Sequence, residues 1–232
     1  MSKQNQLNID RIAFIGRTYA EYMSIFDLDE KLLGRGPVLD CAAGPSSFTA
    51  GASKKGFDIT ACDINYNQSP LELFKKGVRD ISHVFNKFDE ADHLYTWDFY
   101  RDKEHVVSHR KMALGGFVKD FTRNKKSGRY VHSELPSLPF NDNTFSIVLV
   151  SHFLFLYCER LDLDFHLQCI HELMRVCSEE VRIFPLVGLD ANTYTHMDNI
   201  MASLVSGGWE VEITKVPFEF QRGANQMMKI KL

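Results

Sequence analysis

No run in this 232-residue chain approaches the roughly 20 consecutive apolar residues of a membrane span. The five cysteines, Cys41, Cys62, Cys158, Cys169 and Cys177, form no Cys-x-x-Cys pair. They read as reduced thiols, with Cys41 and Cys62 as small packing residues at strand ends. The opening stretch Met1 to Asp10 is polar and lacks the apolar core of a signal peptide, which points to a cytoplasmic protein. A net charge of -3 provides no concentrated basic face, which argues against nucleic acid as partner. The one basic cluster, Lys119 to Arg129, reads first as a solvated helix face. The nine histidines include two pairs, His105 with His109 and His166 with His171, without further ligands nearby, so no metal site is expected. A Gly-x-Gly-x-x-Gly turn is missing as well, which argues against a nicotinamide-dependent oxidoreductase.

What is present is an alternation of strands and helices. Pro37 to Cys41 reads as a first strand that runs through Asp40 into the small-residue turn Ala42-Ala43-Gly44, where backbone N–H groups can approach a ligand closely. Ser46 and Ser47 stand where the helix from about Phe48 to Lys54 needs its N-cap. A second strand, Asp58 to Asp63, again ends on a carboxylate, about twenty residues beyond the turn. Later strands are Phe145 to Ser151, Glu180 to Pro185, Trp209 to Lys215 and Met227 to Leu232. Helices are read from about Asp164 to Cys177 and from Tyr194 to Ser206. The last two strands follow one another without a helix, so the final one should run antiparallel. Residues 1–34 are read as an N-terminal helical segment, with a stripe from Tyr19 to Leu28 docking on the domain. Residues 65–130 exceed what a crossover needs, and their aromatics, among them Phe74, Phe85, Phe88, Tyr95 and Trp97, suggest a helical insert closing over the strand ends as a lid.

Four segments together resemble class I S-adenosylmethionine-dependent methyltransferases. They are Val38-Leu39-Asp40-Cys41-Ala42-Ala43-Gly44, Ala61-Cys62-Asp63-Ile64, Glu134-Leu135-Pro136-Ser137-Leu138-Pro139-Phe140, and Phe145 to Ser151. The likeness runs from about Val38 to Leu232 and departs from the family loop at Ala42 and Ser46, where glycines are usual. It implies one α/β domain: a Rossmann-like, doubly wound, mainly parallel seven-stranded sheet with an antiparallel last strand. It implies S-adenosylmethionine as cofactor and S-adenosylhomocysteine as product. In this reading Ala42 and Gly44 pack against the methionine part, and Asp40 sets a negative charge near the cofactor's cationic groups. Asp63, with Ile64 beside it, accepts from the ribose hydroxyls, since one carboxylate can take two hydrogen bonds. Glu134 and the Leu135 backbone meet the adenine edge, and Ser151 ends the strand facing the methyl group. Arg17 reaches the cofactor carboxylate if the N-terminal segment crosses the site.

If the acceptor must lose a proton, His152, Tyr157 and His109 are the candidate bases. The expected acceptor is a small or medium-sized molecule in an enclosed pocket. A binding module without turnover, and modification of nucleic acid or protein, stand as alternatives.

Overall fold

A computed structural model describes residues 6–231 of the chain. Seven strands form one sheet: β1 (Val38–Cys41), β2 (Ile59–Asp63), β3 (Tyr130–His132), β4 (Phe145–Ser151), β5 (Cys177–Phe184), β6 (Glu210–Lys215) and β7 (Gln226–Lys231). Their spatial order is β3-β2-β1-β4-β5-β7-β6, with β7 antiparallel to both neighbours and the other pairings parallel. This is the Rossmann-like, mainly parallel seven-stranded sheet with an antiparallel last strand that the sequence leads one to expect. The expected last strand reached Leu232, which lies outside the described residues. No helix among the described residues is long and apolar enough to cross a membrane.

Both faces of the sheet are covered, as parallel sheets require. The central strand β4 divides its side chains between two cores. Ile147 and Leu149 join the aromatic core on one face, and Val148 and Val150 the aliphatic core on the other. On the first face α1 (Tyr19–Ile25), α3 (Phe48–Lys54) and α5 (Lys103–Asn124) lie side by side, with α4 (Pro70–Lys87) packed on α5. On the second, α6 (Leu163–Val176) meets α7 (Met197–Ser206). The short α2 (Glu30–Leu33) leads into β1.

Two expectations need correction. Residues 1–34 are not one helical segment, because among the described residues 6–18 run without helix. That stretch spends its backbone donors on other elements: Leu7 N donates to the Leu189 carbonyl, Ala13 N to Tyr157 Oη at 3.0 Å and Phe14 N to Asp80 Oδ2 at 2.9 Å. Nor is the 65–130 region wholly an insert. Tyr130 opens the edge strand β3, and α5 is the crossover helix that β2 and β3 need in order to run parallel.

Several of the region's aromatics serve packing. Phe117, Phe121, Tyr66 and Tyr130 form one cluster with centroids 5.2–5.7 Å apart, while Phe74 and Trp97 are exposed.

Helix α1 begins with a capping box, Thr18 with Glu21. The Glu21 carboxylate is fully buried and takes hydrogen bonds from Arg110 on α5 and from the Tyr100 hydroxyl. Burial opposes its charge most strongly, but the Arg110 guanidinium, together with His109, Arg17 and the Tyr100 hydroxyl, outweighs it and holds Glu21 well below the usual carboxylate range. This ion pair ties the N-terminal segment to α5.

Candidate functional site

The carboxyl ends of β1, β2, β3 and β4 open into one cleft of about 480 Å³, within the usual range for small-molecule sites. Its position follows the rule for open α/β sheets, in which ligands bind beyond the strand ends. The β1 turn forms one wall. Ala42 (φ 53°) and Gly44 (φ 54°) both adopt the left-handed region, which glycine tolerates and alanine occupies at a cost of about 1–2 kcal/mol. The turn persists because it is tied on both sides. Gly44 N donates to Asp63 Oδ2 at 2.9 Å, and the Gly44 carbonyl accepts from Tyr66 Oη at 2.7 Å. Ser47 is the formal N-cap residue of α3 but makes no side-chain cap. Ser46 does that work, accepting from Phe48 N at 3.1 Å and donating to the Arg17 carbonyl at 3.2 Å.

Asp63 ends β2 in the cleft. Its Oδ1 accepts from Asn65 N and Asn65 Nδ2, each at 2.8 Å, while Gly44 N takes Oδ2. A carboxylate has about four acceptor sites, so three are already engaged and one remains for a ligand unless Asn65 turns away. Burial raises its pKa, against the lowering effect of those hydrogen bonds. Ile64 beside it is an exposed apolar side chain on the cleft wall. Glu134 is exposed on the opposite rim, where its carbonyl accepts from Ser137 N at 3.0 Å across the turn that holds Leu135.

At the end of β4, His152 also has positive φ (53°), a strained position for a residue with a side chain. Ser151 Oγ and His152 Nδ1 lie 2.8 Å apart, leaving Nε2 as the outward ring nitrogen. Burial, with the Arg17 and Arg110 charges adding to it, holds the imidazole well below its usual pKa, so the ring is neutral.

The cleft is roofed by residues 12–17; of the 65–130 region, only Asn65 and Lys76 line it. Gly16 explains how the roof seats. A Cβ built there would stand 2.1 Å from the Pro45 carbonyl oxygen, so only glycine allows this approach. Gly16→Ala is expected to cost about 1–3 kcal/mol by overpacking, read as a lower urea midpoint; an unchanged midpoint would mean the segment is not seated on the loop. Arg17 follows, largely buried. Its Nη1 reaches only the Ile15 and Gly16 carbonyls, and its buried Nε has no partner. Among the described residues it pairs with no carboxylate. Burial, together with repulsion from Arg110, pushes its pKa down to about 10.

Three sequence candidates lie off the cleft. Asp40 is fully buried beneath Tyr22, which donates to its Oδ1 at 2.9 Å, while Oδ2 has no partner. Burial pushes its carboxyl up to about 8, and the nearby Asp63 charge adds to the rise. The negative charge expected from Asp40 near neutral pH is therefore withheld in the ligand-free protein. His109 belongs to the α5 cluster, with Nε2 3.2 Å from His105 Nε2 and Nδ1 3.6 Å from Glu21. Helical spacing predicts the histidine pair but not which way α5 faces. Tyr157 lines a second, inner chamber of about 90 Å³. That chamber adjoins the cleft through Ala13, Ile15, Arg17 and His152, which line both.

Sequence reasoning missed Asn65, Ser133 and Lys76 on the cleft and Phe218 and Phe220 on the inner chamber. Asn65 had a signal, since an Asx residue two positions after a strand-end acid favours a local turn. Ser133, whose buried Oγ has no partner, had only its place beside Glu134. The two phenylalanines come from the far end of the chain and carried none.

No protein-family model matches the chain. Among solved structures, a TehB-like S-adenosylmethionine-dependent methyltransferase from Corynebacterium glutamicum is 14% identical, with 90% of this chain and 86% of that one covered and a TM-score of 0.47. Magnesium protoporphyrin IX methyltransferase from Synechocystis, with bound S-adenosylhomocysteine, is 12% identical, with 92% and 80% covered and a TM-score of 0.49. A protein of Methanocaldococcus jannaschii, the uncharacterized protein MJ0045, is 34% identical over 229 residues, which is 97% of this chain and 98% of that protein. Likeness of that level along both chains from end to end means that the chain belongs to the same family as MJ0045.

Proposed function

We propose that this protein is an S-adenosylmethionine-dependent methyltransferase acting on a small acceptor. The observation that carries the reading is the convergence of Gly44, Asp63, Glu134 and Ser151, from four separate strand ends, on one cleft of suitable size. The groups along it fit the cofactor's parts. The buried, unpartnered Nε of Arg17 suits its carboxylate, and the free acceptor site of Asp63 suits a ribose hydroxyl. Ile64 and Leu135 offer apolar surface to the adenine faces, Glu134 an acceptor to its amine, and the unpartnered Ser133 Oγ a further polar contact.

When bound, the cofactor supplies an electrophilic methyl group on a sulfonium. The chain's share of the work is to position the acceptor and exclude water. The 12–17 roof and the aromatic walls suit exclusion. His152, neutral and at the junction of cleft and inner chamber, suits contact with an acceptor. The lid expected of residues 65–130 is kept only in part, through Asn65, Lys76 and the aromatics that reach the inner chamber. A module that binds without turnover would need no room beyond His152, and the inner chamber counts against it.

Calorimetric titration with S-adenosylhomocysteine is expected to give one binding site; no heat from the folded protein would overturn the reading. His109→Gln, at a residue that lines neither cavity, is expected to leave the methyl-transfer rate within about threefold after correction for folded fraction, and a hundredfold loss would return His109 to the chemistry.

A further inference from the structure

We propose that the inner chamber selects an acidic acceptor with a ring-sized apolar body, taken up as its anion with the charged atom at the junction between Arg17 and His152. This rests on the methyl-transfer reading and goes beyond it by assigning the acceptor's class.

Charge argues first. The charged residues lining the chamber are Arg17 and Arg110, and no carboxylate lines it among the described residues. Arg110 is spent on Glu21 and Tyr100, whereas Arg17 has a buried Nε without a partner. A guanidinium carries five N–H donors, enough to serve a cofactor carboxylate and a second anion together. The cofactor brings two cationic groups and one carboxylate, so its arrival leaves the positive sign of the chamber intact. An ammonium entering here would meet like charge in a largely desolvated space. An anion meets the opposite charge, in surroundings where such attraction is stronger than in water.

The proton inventory agrees with charge. A neutral alcohol must pass a proton to a base, and a neutral amine becomes a cation on methylation, yet the nearest base, His152, is kept from protonation by burial and by both arginines. Tyr157 Oη accepts from Ala13 N at 3.0 Å, and burial raises its pKa, so it serves as a hydrogen-bond donor rather than a base. An acceptor that arrives deprotonated needs neither. Its lone pair forms the new bond to the methyl carbon while the carbon–sulfur bond breaks and its electron pair stays on sulfur. One negative and one positive charge cancel, and no proton moves.

Size and shape complete the class. At about 90 Å³ the chamber is smaller than the roughly 150 Å³ cavity known to bind benzene, which limits the acceptor's body to no more than one ring. The walls are aromatic: Phe88 and Phe220 lie parallel with centroids 5.9 Å apart, and Tyr95 stands 4.7 Å from Phe220. These rings pack on one another and give the chamber an apolar, aromatic lining that suits an apolar body.

Benzoate, benzamide and benzylamine differ in charge and little in shape, so they probe the assignment directly. Titrated into the full chain saturated with S-adenosylhomocysteine, benzoate is expected to bind at least tenfold tighter than benzamide, with no detectable benzylamine binding. Arg17→Gln should shrink the benzoate advantage to under threefold, Arg17→Lys should restore most of it, and 2-naphthoate should bind at least tenfold more weakly than benzoate. Benzamide or benzylamine binding as tightly as benzoate overturns the proposal, as does an advantage untouched in Arg17→Gln. If S-adenosylhomocysteine itself fails to bind, the methyl-transfer reading falls separately. The same titrations on the protein alone then still test the chamber's preference for an anion.

Discussion

Asp63→Ala is expected to weaken S-adenosylhomocysteine binding by at least about 100-fold. A hydrogen bond to a charged group contributes about 1.5–3 kcal/mol, and each 1.4 kcal/mol is a factor of ten in affinity. Losing the ribose contact alone therefore costs about tenfold to a hundredfold. The remainder comes from the turn. Asp63 Oδ2 holds Gly44 N at 2.9 Å, and Oδ1 holds both Asn65 donors. Alanine releases these donors, and the strained Ala42–Gly44 turn loses the tie that keeps it shaped for a ligand. The same loss destabilises the fold by about 1–3 kcal/mol for each donor left buried and unpaired. Affinity is therefore measured by calorimetry well below the variant's melting temperature, with circular dichroism confirming the fold. A folded Asp63→Ala protein that binds as well as the parent would remove Asp63 from the cofactor site.

Asp40→Asn is expected to stabilise the ligand-free protein at alkaline pH and to flatten its stability profile. Burial, reinforced by the Asp63 charge, holds the native Asp40 carboxyl at about 8, whereas the unfolded chain ionises it at about 3.9. Between those values the native state keeps a proton that the unfolded state has released. The contribution of this group to stability is therefore largest below about pH 4, falls as pH rises towards about 8, and is constant above that. At about 1.4 kcal/mol per pH unit the upper bound is about 6 kcal/mol. Asparagine keeps the acceptor for Tyr22, while its amide faces Ser46 and Thr49, whose hydroxyls bear on this carboxyl. A net gain of about 2–4 kcal/mol at pH 9 should raise Tm by about 4–15 °C, with little change at pH 4. Melting curves across that range test it; equal pH slopes for the two proteins would mean that Asp40 is ionised in the native state. A cationic cofactor favours the ionised carboxylate, so its binding should release a proton from Asp40 below about pH 8.

The correspondence between sequence and fold was uneven, and the unevenness has local causes. Asp40, Asp63 and Ser151 were legible because each closes an apolar run whose length and composition mark a buried parallel strand. Tyr130–His132 was not, since three residues carry too little periodicity to separate an edge strand from the end of a helix. His109 and Arg17 make the sharpest contrast. Both were named on plausible grounds, His109 from spacing along a helix face and Arg17 from its place at the start of an amphipathic stretch that could cross the site. Packing of α4 and the Glu21–Arg110 pair turn His109 away from the cleft, while the fit of Gly16 against Pro45 brings Arg17 onto it.

By itself the sequence determined that this chain makes a mainly parallel sheet with carboxylates and small residues at its strand ends, because strand formation and turn chemistry are set by neighbours a few residues apart. Only the tertiary structure decided what closes over those ends. The roof comes from residues 12–17, and the inner chamber joins Ile9 and Ile15 to Phe88, His152, Phe218 and Phe220. Contacts between residues some two hundred positions apart follow from the packing of whole helices on the sheet, and no local period in the sequence records them.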